Sequence, residues 1–366
     1  EEVSSFRGGD PSSATPSEEV SSFRGGDPSS ARTAAGVMSA QTATAWMTWH
    51  SIQMLDQANL IPKGVISLIC GSARDLLDYV DWSDVVAFTG GAETAHTIRT
   101  HPRVLATGAT VNIEADSLNS TILGPKPDDE TYDAFISHVH REITQKTGQK
   151  CTATRRIFVP SDRVKEVIED LGERLSTTRV GDPAADGVHM GPLSTMAQKR
   201  AALEGIEKLL TEARIVYGHP TEGTLVGVDV ESGAFILPTL LLAETPDTAE
   251  HAHSVEVFGP VATIMPYDGS ATHVAELVRR GEGCLVTSVY GDDRGFLSEM
   301  IDLLSGWNGR LVLTDAKIAA KAYGPGMALP HLLHGGPGRA GGGEELGGVR
   351  GLRIYQQRTA IQGNGP

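Results

Sequence analysis

Cysteine is scarce in this chain, with three among 366 residues. Three thiols cannot form a disulfide framework, so the fold must rest on a buried core, and a reducing, cytoplasmic setting is expected. Basic residues are outnumbered, 31 Lys and Arg against 46 Asp and Glu, for a formal net charge of −15. That balance argues against a general nucleic-acid binder, which needs a basic face to displace counterions. No apolar run approaches the roughly 18 residues of a membrane span. No basic leader followed by an apolar stretch opens the chain, so a soluble protein without a membrane partner is expected. Zinc-site spacing is missing too. The pairs His138/His140 and His251/His253 have no third ligand at a recognisable interval, so they read as surface histidines and no metal site is expected. What is present is a 40% hydrophobic fraction, enough to fill a core, over a length that suits two or three domains or one large α/β body.

The first stretch differs from the rest. Residues 1–14 read EEVSSFRGGDPSSA, and residues 18–31 repeat that string letter for letter. Ser, Gly, Pro and charge dominate it, and such a segment cannot bury enough apolar surface to offset its ordering entropy. Residues 1–41 are therefore expected as a disordered tail, with order beginning near Thr42. From there Trp46, Trp49, Ile52, Met54 and Leu55 stand at near-helical spacing over 43–60. Buried strands are expected at 65–70 and 85–88, each followed by a helix, and that βαβα pattern implies a parallel sheet. Further strands are expected at 111–113, 119–123, 156–159, 261–265 and 285–290, with long helices at 131–147, 162–177 and 194–213. Pro238, Pro260 and Pro266 read as edge or turn residues. The fold expected is doubly wound α/β.

Several residues could carry chemistry. Thr89-Gly90-Gly91 lies between a strand and a helix start, where backbone N–H groups and the helix dipole can face a phosphate. A tight βα turn using Gly for its backbone freedom accounts for the same residues equally well. Cys151 sits on a loop beside Lys150, Arg155 and Arg156, where positive potential would favour the thiolate; an inert loop thiol is the alternative. Cys70 and Cys284 fall in apolar strand runs and read as small buried hydrophobes. Glu114 ends a strand and could serve as a base if its surroundings raise its pKa; otherwise it is a solvated acidic turn. Glu256-Val257-Phe258-Gly259-Pro260 sets an acid beside an aromatic and a sharp turn. Residues 334–348, HGGPGRAGGGEELGG, are glycine-rich enough to need unusual backbone angles or a close approach, unless they are a plain linker. After them Leu352-Arg353-Ile354-Tyr355 alternates like an edge strand suited to subunit pairing.

In their order, these segments resemble the aldehyde dehydrogenase superfamily. Phe88-Thr89-Gly90-Gly91 looks like its cofactor-domain turn, Glu114 stands in the place of its general base, and Gly148-Gln149-Lys150-Cys151 looks like its nucleophile loop. Glu256-Val257-Phe258-Gly259-Pro260 looks like the motif whose acid holds the nicotinamide ribose, which brings Phe258 to the cofactor. Asn112-Ile113-Glu114-Ala115-Asp116-Ser117-Leu118-Asn119 and the 334–348 segment are similar to a branch that oxidises coenzyme A-linked semialdehydes in bacterial phenylacetate and benzoate breakdown. The resemblance implies a Rossmann-type cofactor domain, an α/β catalytic domain and a C-terminal oligomerisation strand. It also implies NADP or NAD as cofactor, a CoA-linked aldehyde as substrate and a homodimer. Its chemistry is attack by the Cys151 thiolate, an enzyme thioester, and hydrolysis by a water that Glu114 activates.

The match begins part-way into the family's pattern. Neither the Pro-Trp-Asn-Phe stretch nor the Lys-Pro-Ala lysine is found; the matching place reads Ser39-Ala40-Gln41-Thr42-Ala43-Thr44-Ala45. The expected organisation is therefore a tail over 1–41, a truncated dinucleotide-binding domain over 42–115, a catalytic domain over 116–345 and an oligomerisation arm over 346–366. A binding or oligomer-forming protein that keeps the fold without the activity is the alternative.

Overall fold

The computed structural model describes residues 36–40, 44–73, 75–229, 233–319, 321, 324, 326–327, 329, 332, 334–345 and 348–363. The repeated 14-residue string lies outside the described residues. The chain divides into two compact units, one holding the residues up to Trp82 with Thr100–Ala109, the other Ser83–Arg99 with the residues from Thr110 onward.

The first unit opens on strand β1 (Gly36–Ala40), ahead of Thr42, where order was expected to begin. β1 pairs in parallel with β2 (Ile66–Cys70), and that backbone ladder gives the early residues their partner. Helix α1 (Ala45–Gln57) lies between them and ends where Asn59 takes a left-handed φ of 51°. No residue of α1 is buried, and Trp46, Met47 and Met54 stand exposed. Cys70, read from the sequence as a buried hydrophobe, is exposed: β2 has one strand partner and its last residue has outrun the cover over the rest of the strand. A 3-10 turn (Leu76–Tyr79) takes the place of the short amphipathic helix expected there, and a short helix (Pro102–Thr107) closes on Gly108 in the left-handed conformation.

The second unit holds β3 (Val85–Thr89), helix α2 (Ala92–Thr100) and β4 (Thr110–Glu114), with β3 and β4 parallel and Thr89 level with Glu114. Beyond them come β5 (Ser120–Leu123), α3 (Asp129–Thr144), β6 (Arg156–Pro160), α4 (Val164–Ser176), α5 (Met196–Leu209), β7 (Arg214–Tyr217) and β8 (Thr239–Leu242). β9 (Val261–Tyr267), α6 (Ala271–Arg279), β10 (Cys284–Tyr290), α7 (Arg294–Leu304) and β11 (Asn308–Thr314) follow. Seven of these strands form one sheet in the order β11-β10-β5-β6-β9-β8-β7, parallel throughout except for β7 against β8.

Alternation along the strands explains why their sequences read as continuous apolar runs. Phe158 and Ile122 face a core built with Ile206, Leu209, Val274 and Met300 from α5, α6 and α7. Ile157, Val159 and Leu123 face a second core with Phe135, Val139, Ile143 and Leu171 from α3 and α4. The sheet is thus covered on both faces, as doubly wound α/β requires. Pro266 lies inside β9 and not at a turn; pairing with β8 has ended at Ile264, so its missing N–H costs that side of the ladder nothing. Among the described residues no helix is long and apolar enough to cross a membrane.

One expectation for the C-terminal part is corrected. Residues 348–355 form a 3-10 helix (Gly348–Tyr355), not an edge strand. Val349, Leu352 and Tyr355 recur every third residue, which matches three residues per turn better than alternation. The glycine-rich segment makes the close approach and takes the unusual backbone angles that its composition suggested, and is not the plain linker that was the alternative. Strands β12 (His334–Gly335) and β13 (Glu344–Glu345) pair antiparallel, and the segment packs backbone to backbone on β4. Gly343 N donates to Ile113 O at 2.9 Å and Ala115 N to Ala340 O at 3.0 Å. The Asn112 side chain closes the contact by accepting from Glu344 N at 2.9 Å and donating to Glu344 O at 3.2 Å. A Cβ on Gly341 or Gly343 would collide with the Ile113 carbonyl, so only glycine permits this approach.

Candidate active site

β5, β6 and β9 are adjacent and parallel, so the loops entering them share one edge of the sheet. This brings together residues 117–119, 151–155 and 256–260, which lie far apart in sequence. Glu114, at the end of β4, leads by five residues into the first of these loops.

The Cys151 loop is held from several directions. α3 ends in a 3-10 turn (Gln145–Gly148) in which Lys146 (φ 53°), Thr147 (φ 56°) and Gly148 (φ 69°) all take left-handed backbone angles. That geometry costs roughly 1–2 kcal/mol for each non-glycine residue, so the surroundings must impose it. A Cβ on Gly148 would strike the carbonyl of Gly259, so the Cys151 loop lies directly on the Glu256–Pro260 turn. Asn119, 1% exposed, donates from Nδ2 to Cys151 O at 2.7 Å and to Ala153 O at 3.0 Å. Its Oδ1 accepts from Ser117 Oγ at 2.7 Å and Val286 N at 3.1 Å. Lys150 Nζ turns away from the thiol to bond the buried Glu142 at 2.7 Å and Gln145 at 2.9 Å.

Arg155 joins the two loops. Its guanidinium donates to Gly259 O at 3.1 Å and Lys150 O at 3.2 Å, and it lies 5.2 Å from the centre of the Phe258 ring. Arg155 Nε stands 3.5 Å from Glu256 Oε1, while Ser117 N donates to Glu256 Oε2 at 3.3 Å. Burial pushes the Glu256 carboxyl up to about 7; Arg155 opposes the shift and Asp116 adds to it.

Sequence reasoning placed a positive field from Lys150, Arg155 and Arg156 around Cys151. The structure corrects this for Lys150 and Arg156, which are committed elsewhere, while Arg155, bonded to the Lys150 carbonyl, stays close enough for its charge to interact with Cys151. Arg156 points into the interior and donates to the carbonyls of Leu118, Leu277 and Val278. His334, at the head of the glycine-rich segment, faces the thiol instead, with Nε2 3.8 Å from Cys151 Sγ. The same nitrogen is 3.2 Å from Glu114 Oε2, out of line for a good hydrogen bond but within ion-pair range. Glu114 is 4% exposed, not a solvated turn. The contacts with Cys151 and Glu114 raise the His334 pKa to about 10. Arg310 Nη2, 3.5 Å from Nδ1, approaches the other side of the ring.

The histidine pairs are also corrected. His138 and His253 are buried, not surface groups, and burial lowers their pKa values to about 3 and about 4. His253 serves structure, with Arg156 Nη1 3.0 Å from its Nδ1 and its Nε2 3.0 Å from Pro246 O.

Comparison with known proteins gives the family. Residues 31–311 match the profile of the aldehyde dehydrogenase family. The chain belongs to that family. It is 44% identical over 298 residues to 3,4-dehydroadipyl-CoA semialdehyde dehydrogenase of Aromatoleum evansii, a match covering 81% of this chain and 58% of that protein. It is 27% identical over 299 residues to α-ketoglutaric semialdehyde dehydrogenase of Bacillus subtilis, covering 80% of this chain and 58% of the relative. The chain thus spans a little over half the length of these two relatives. Betaine aldehyde dehydrogenase of Staphylococcus aureus, solved in complex with NAD+, shares the fold with a TM-score of 0.75 at 21% identity, over 88% of this chain and 60% of that one.

Within the family frame, the structure brings Cys151 and Glu114 together around His334 and ties Glu256 and Phe258 to the same loops through Arg155. Thr89, Gly90 and Gly91 join the group through the backbone, since Gly90 N donates to Glu114 O at 3.1 Å. His334, Asn119, Arg155 as a bridge, and Arg310 are the site residues that sequence reasoning missed. The signal for His334 was its place at the head of a glycine-rich run. The residues suit a nicotinamide dinucleotide in two respects. The space a Cβ would take at Gly91 is open at the start of α2, room for a phosphate near the helix dipole. Glu256 is a largely buried acid, its side chain 11% exposed, suited to accepting from ribose hydroxyls.

Proposed function

We propose that this chain carries the catalytic centre of an NADP- or NAD-dependent aldehyde dehydrogenase acting on a CoA-linked semialdehyde, such as 3,4-didehydroadipyl-CoA semialdehyde. The observation that carries the reading is the cluster of Cys151, Glu114 and His334, whose donor atoms all lie within 4.8 Å of one another. Thr89, Gly90 and Gly91 would face the cofactor phosphates, and Glu256 with Phe258 the nicotinamide ribose. The nicotinamide, when bound, supplies the hydride acceptor.

The rest is chemistry of this chain. The Cys151 thiolate adds to the aldehyde carbon, forming a C–S bond and leaving the carbonyl oxygen as the oxyanion of a thiohemiacetal. Asn119 and Arg155 keep the thiol in place, because they hold the backbone carbonyls of residues 150, 151 and 153. Once the adduct is a thioester, Glu114 takes a proton from water, the hydroxide attacks the acyl carbon, and the C–S bond breaks to return the thiolate. Substrate class follows the 44% identical relative and remains part of the proposal.

Stopped-flow absorbance at the reduced-nicotinamide band tests the reading. The chain is mixed with NADP or NAD and 3,4-didehydroadipyl-CoA semialdehyde, beside a Cys151→Ala variant. A burst of about one equivalent that disappears in Cys151→Ala is the expected result. No burst from a folded chain, or an undiminished burst in Cys151→Ala, overturns it.

A further inference from the structure

Cys151 and Glu114 are both anionic when they work, one as thiolate and one as carboxylate. Within 4.8 Å of each other and mostly shielded from water, two such charges repel strongly. Something between them must offset that repulsion. His334 Nε2 stands 3.8 Å from the sulfur and 3.2 Å from the carboxylate oxygen. The groups set against the ring are Glu114 at the end of β4, Cys151 on the loop ahead of β6 and Arg310 on β11. Arg310 Nη2 lies 3.5 Å from Nδ1, and with the ring pKa raised to about 10 both ring nitrogens carry a hydrogen near neutral pH, Nε2 among them. Nε2 then has no lone pair for a metal, so the three donor atoms are better suited to sharing a proton than to binding a cation. The ring is fixed by its backbone: β12 pairs with β13, and the glycine-rich segment is bonded onto β4 itself. The same contact that carries Glu114 therefore carries His334.

We propose that His334 is a positioning residue of this centre, whose Nε2–H stands between Cys151 and Glu114 and bridges them by charge. It sets a positive charge between the sulfur and the carboxylate and aims the carboxylate at the position where the acyl group forms. The roles of Cys151 and Glu114 come from the proposed function; the bridge itself is a matter of geometry and can be tested without any aldehyde.

Sharing one donor makes the two anions competitors, and the competition has a sign. Removing the donor leaves the thiolate facing a carboxylate with nothing between them. Removing the carboxylate charge gives the thiolate the donor to itself. The test is the pH profile of iodoacetamide alkylation at Cys151, read by peptide mass on the full chain, for wild type, His334→Phe, His334→Gln and Glu114→Gln. In His334→Phe the midpoint should rise by about one pH unit, so that alkylation near neutral pH slows about ten-fold. His334→Gln, which keeps a neutral donor, should recover part of the loss. In Glu114→Gln the midpoint should fall below that of wild type. A His334→Phe profile superimposed on wild type, or an upward shift in Glu114→Gln, overturns the proposal. Should His334→Phe fail to fold, the Glu114→Gln shift decides alone, downward in favour and level or upward against. A chain that shows these shifts but no aldehyde-dependent burst would refute the proposed function and leave the bridge standing.

Discussion

Asn119→Ala is the perturbation that most fully tests how the fold builds the Cys151 loop. The side chain is buried and makes four hydrogen bonds, two to the carbonyls of Cys151 and Ala153 and two from Ser117 Oγ and Val286 N. Truncation takes a hydrogen bond from each of the four groups, Ser117 Oγ keeping the one it accepts from Leu285 N. At about 1 kcal/mol for each lost hydrogen bond, the loss is about 4 kcal/mol. That is a large share of the roughly 5–15 kcal/mol a domain possesses. Asn119→Asp separates shape from hydrogen bonding: it keeps the volume and the acceptor but puts carboxylate oxygens against two carbonyls, so it should cost at least as much. Both variants are compared with wild type by urea unfolding, with Cys151 alkylation as a second readout. The expected outcome is a drop of about 4 kcal/mol with a loop thiol that is alkylated differently from wild type. Both variants within about 1 kcal/mol of wild type, with unchanged alkylation, would refute the reasoning.

Gly148→Ala should cost more than about 2 kcal/mol and displace Cys151, because the residue has φ 69° and its Cβ would strike Gly259 O; an unaltered melting temperature and alkylation rate would contradict this. Stability should also fall as the pH drops below about 6.5. His138 and His253, with pKa values lowered to about 3 and about 4, stay neutral in the native state while their unfolded counterparts take up protons. Glu256, raised to about 7, works the other way, because the native state holds its proton first. His334 and His273, both raised, are protonated in either state below that pH and add no slope. Two protons less one leave a net of about one, and His140, also lowered by burial, adds in the same direction, so the slope is roughly 1.4 kcal/mol per pH unit or more between pH 6.5 and 5. Melting temperatures measured across that interval check the sign, and a flat or rising profile on acidification would contradict it.

Much of the fold was legible because the strands of a sheet covered on both faces are short apolar runs. The runs at 66–70, 85–89, 120–123, 156–160, 261–267 and 284–290 all declare themselves in this way. β11 does not, since it interrupts its apolar residues with Asn308, Gly309 and Arg310, and its middle is only half-buried. β7 carries an arginine at its start and pairs antiparallel at the sheet margin, while β8 is four residues long. Cys151, Glu114 and Glu256 were legible as motifs in a fixed order. The partners that make them a site were not, because each arrives from a distant segment by way of sheet order. His334 is 183 residues from Cys151, and nothing in its neighbourhood of glycines says which strand they will press against. Burial was the other blind spot. His138 and His253 look like surface residues from their polarity, but the first packs from α3 against Tyr290 and the second against Arg156.

The most direct test of the central claim, that Cys151 carries the acyl group and Glu114 releases it, is intact mass after a single turnover of Glu114→Gln. The chain is mixed with cofactor and 3,4-didehydroadipyl-CoA semialdehyde, quenched in acid and mapped by peptide. Cys151 should accumulate close to one equivalent of acyl adduct in Glu114→Gln, while wild type clears it. No adduct, an adduct on another residue, or clearance as fast as in wild type would contradict the account.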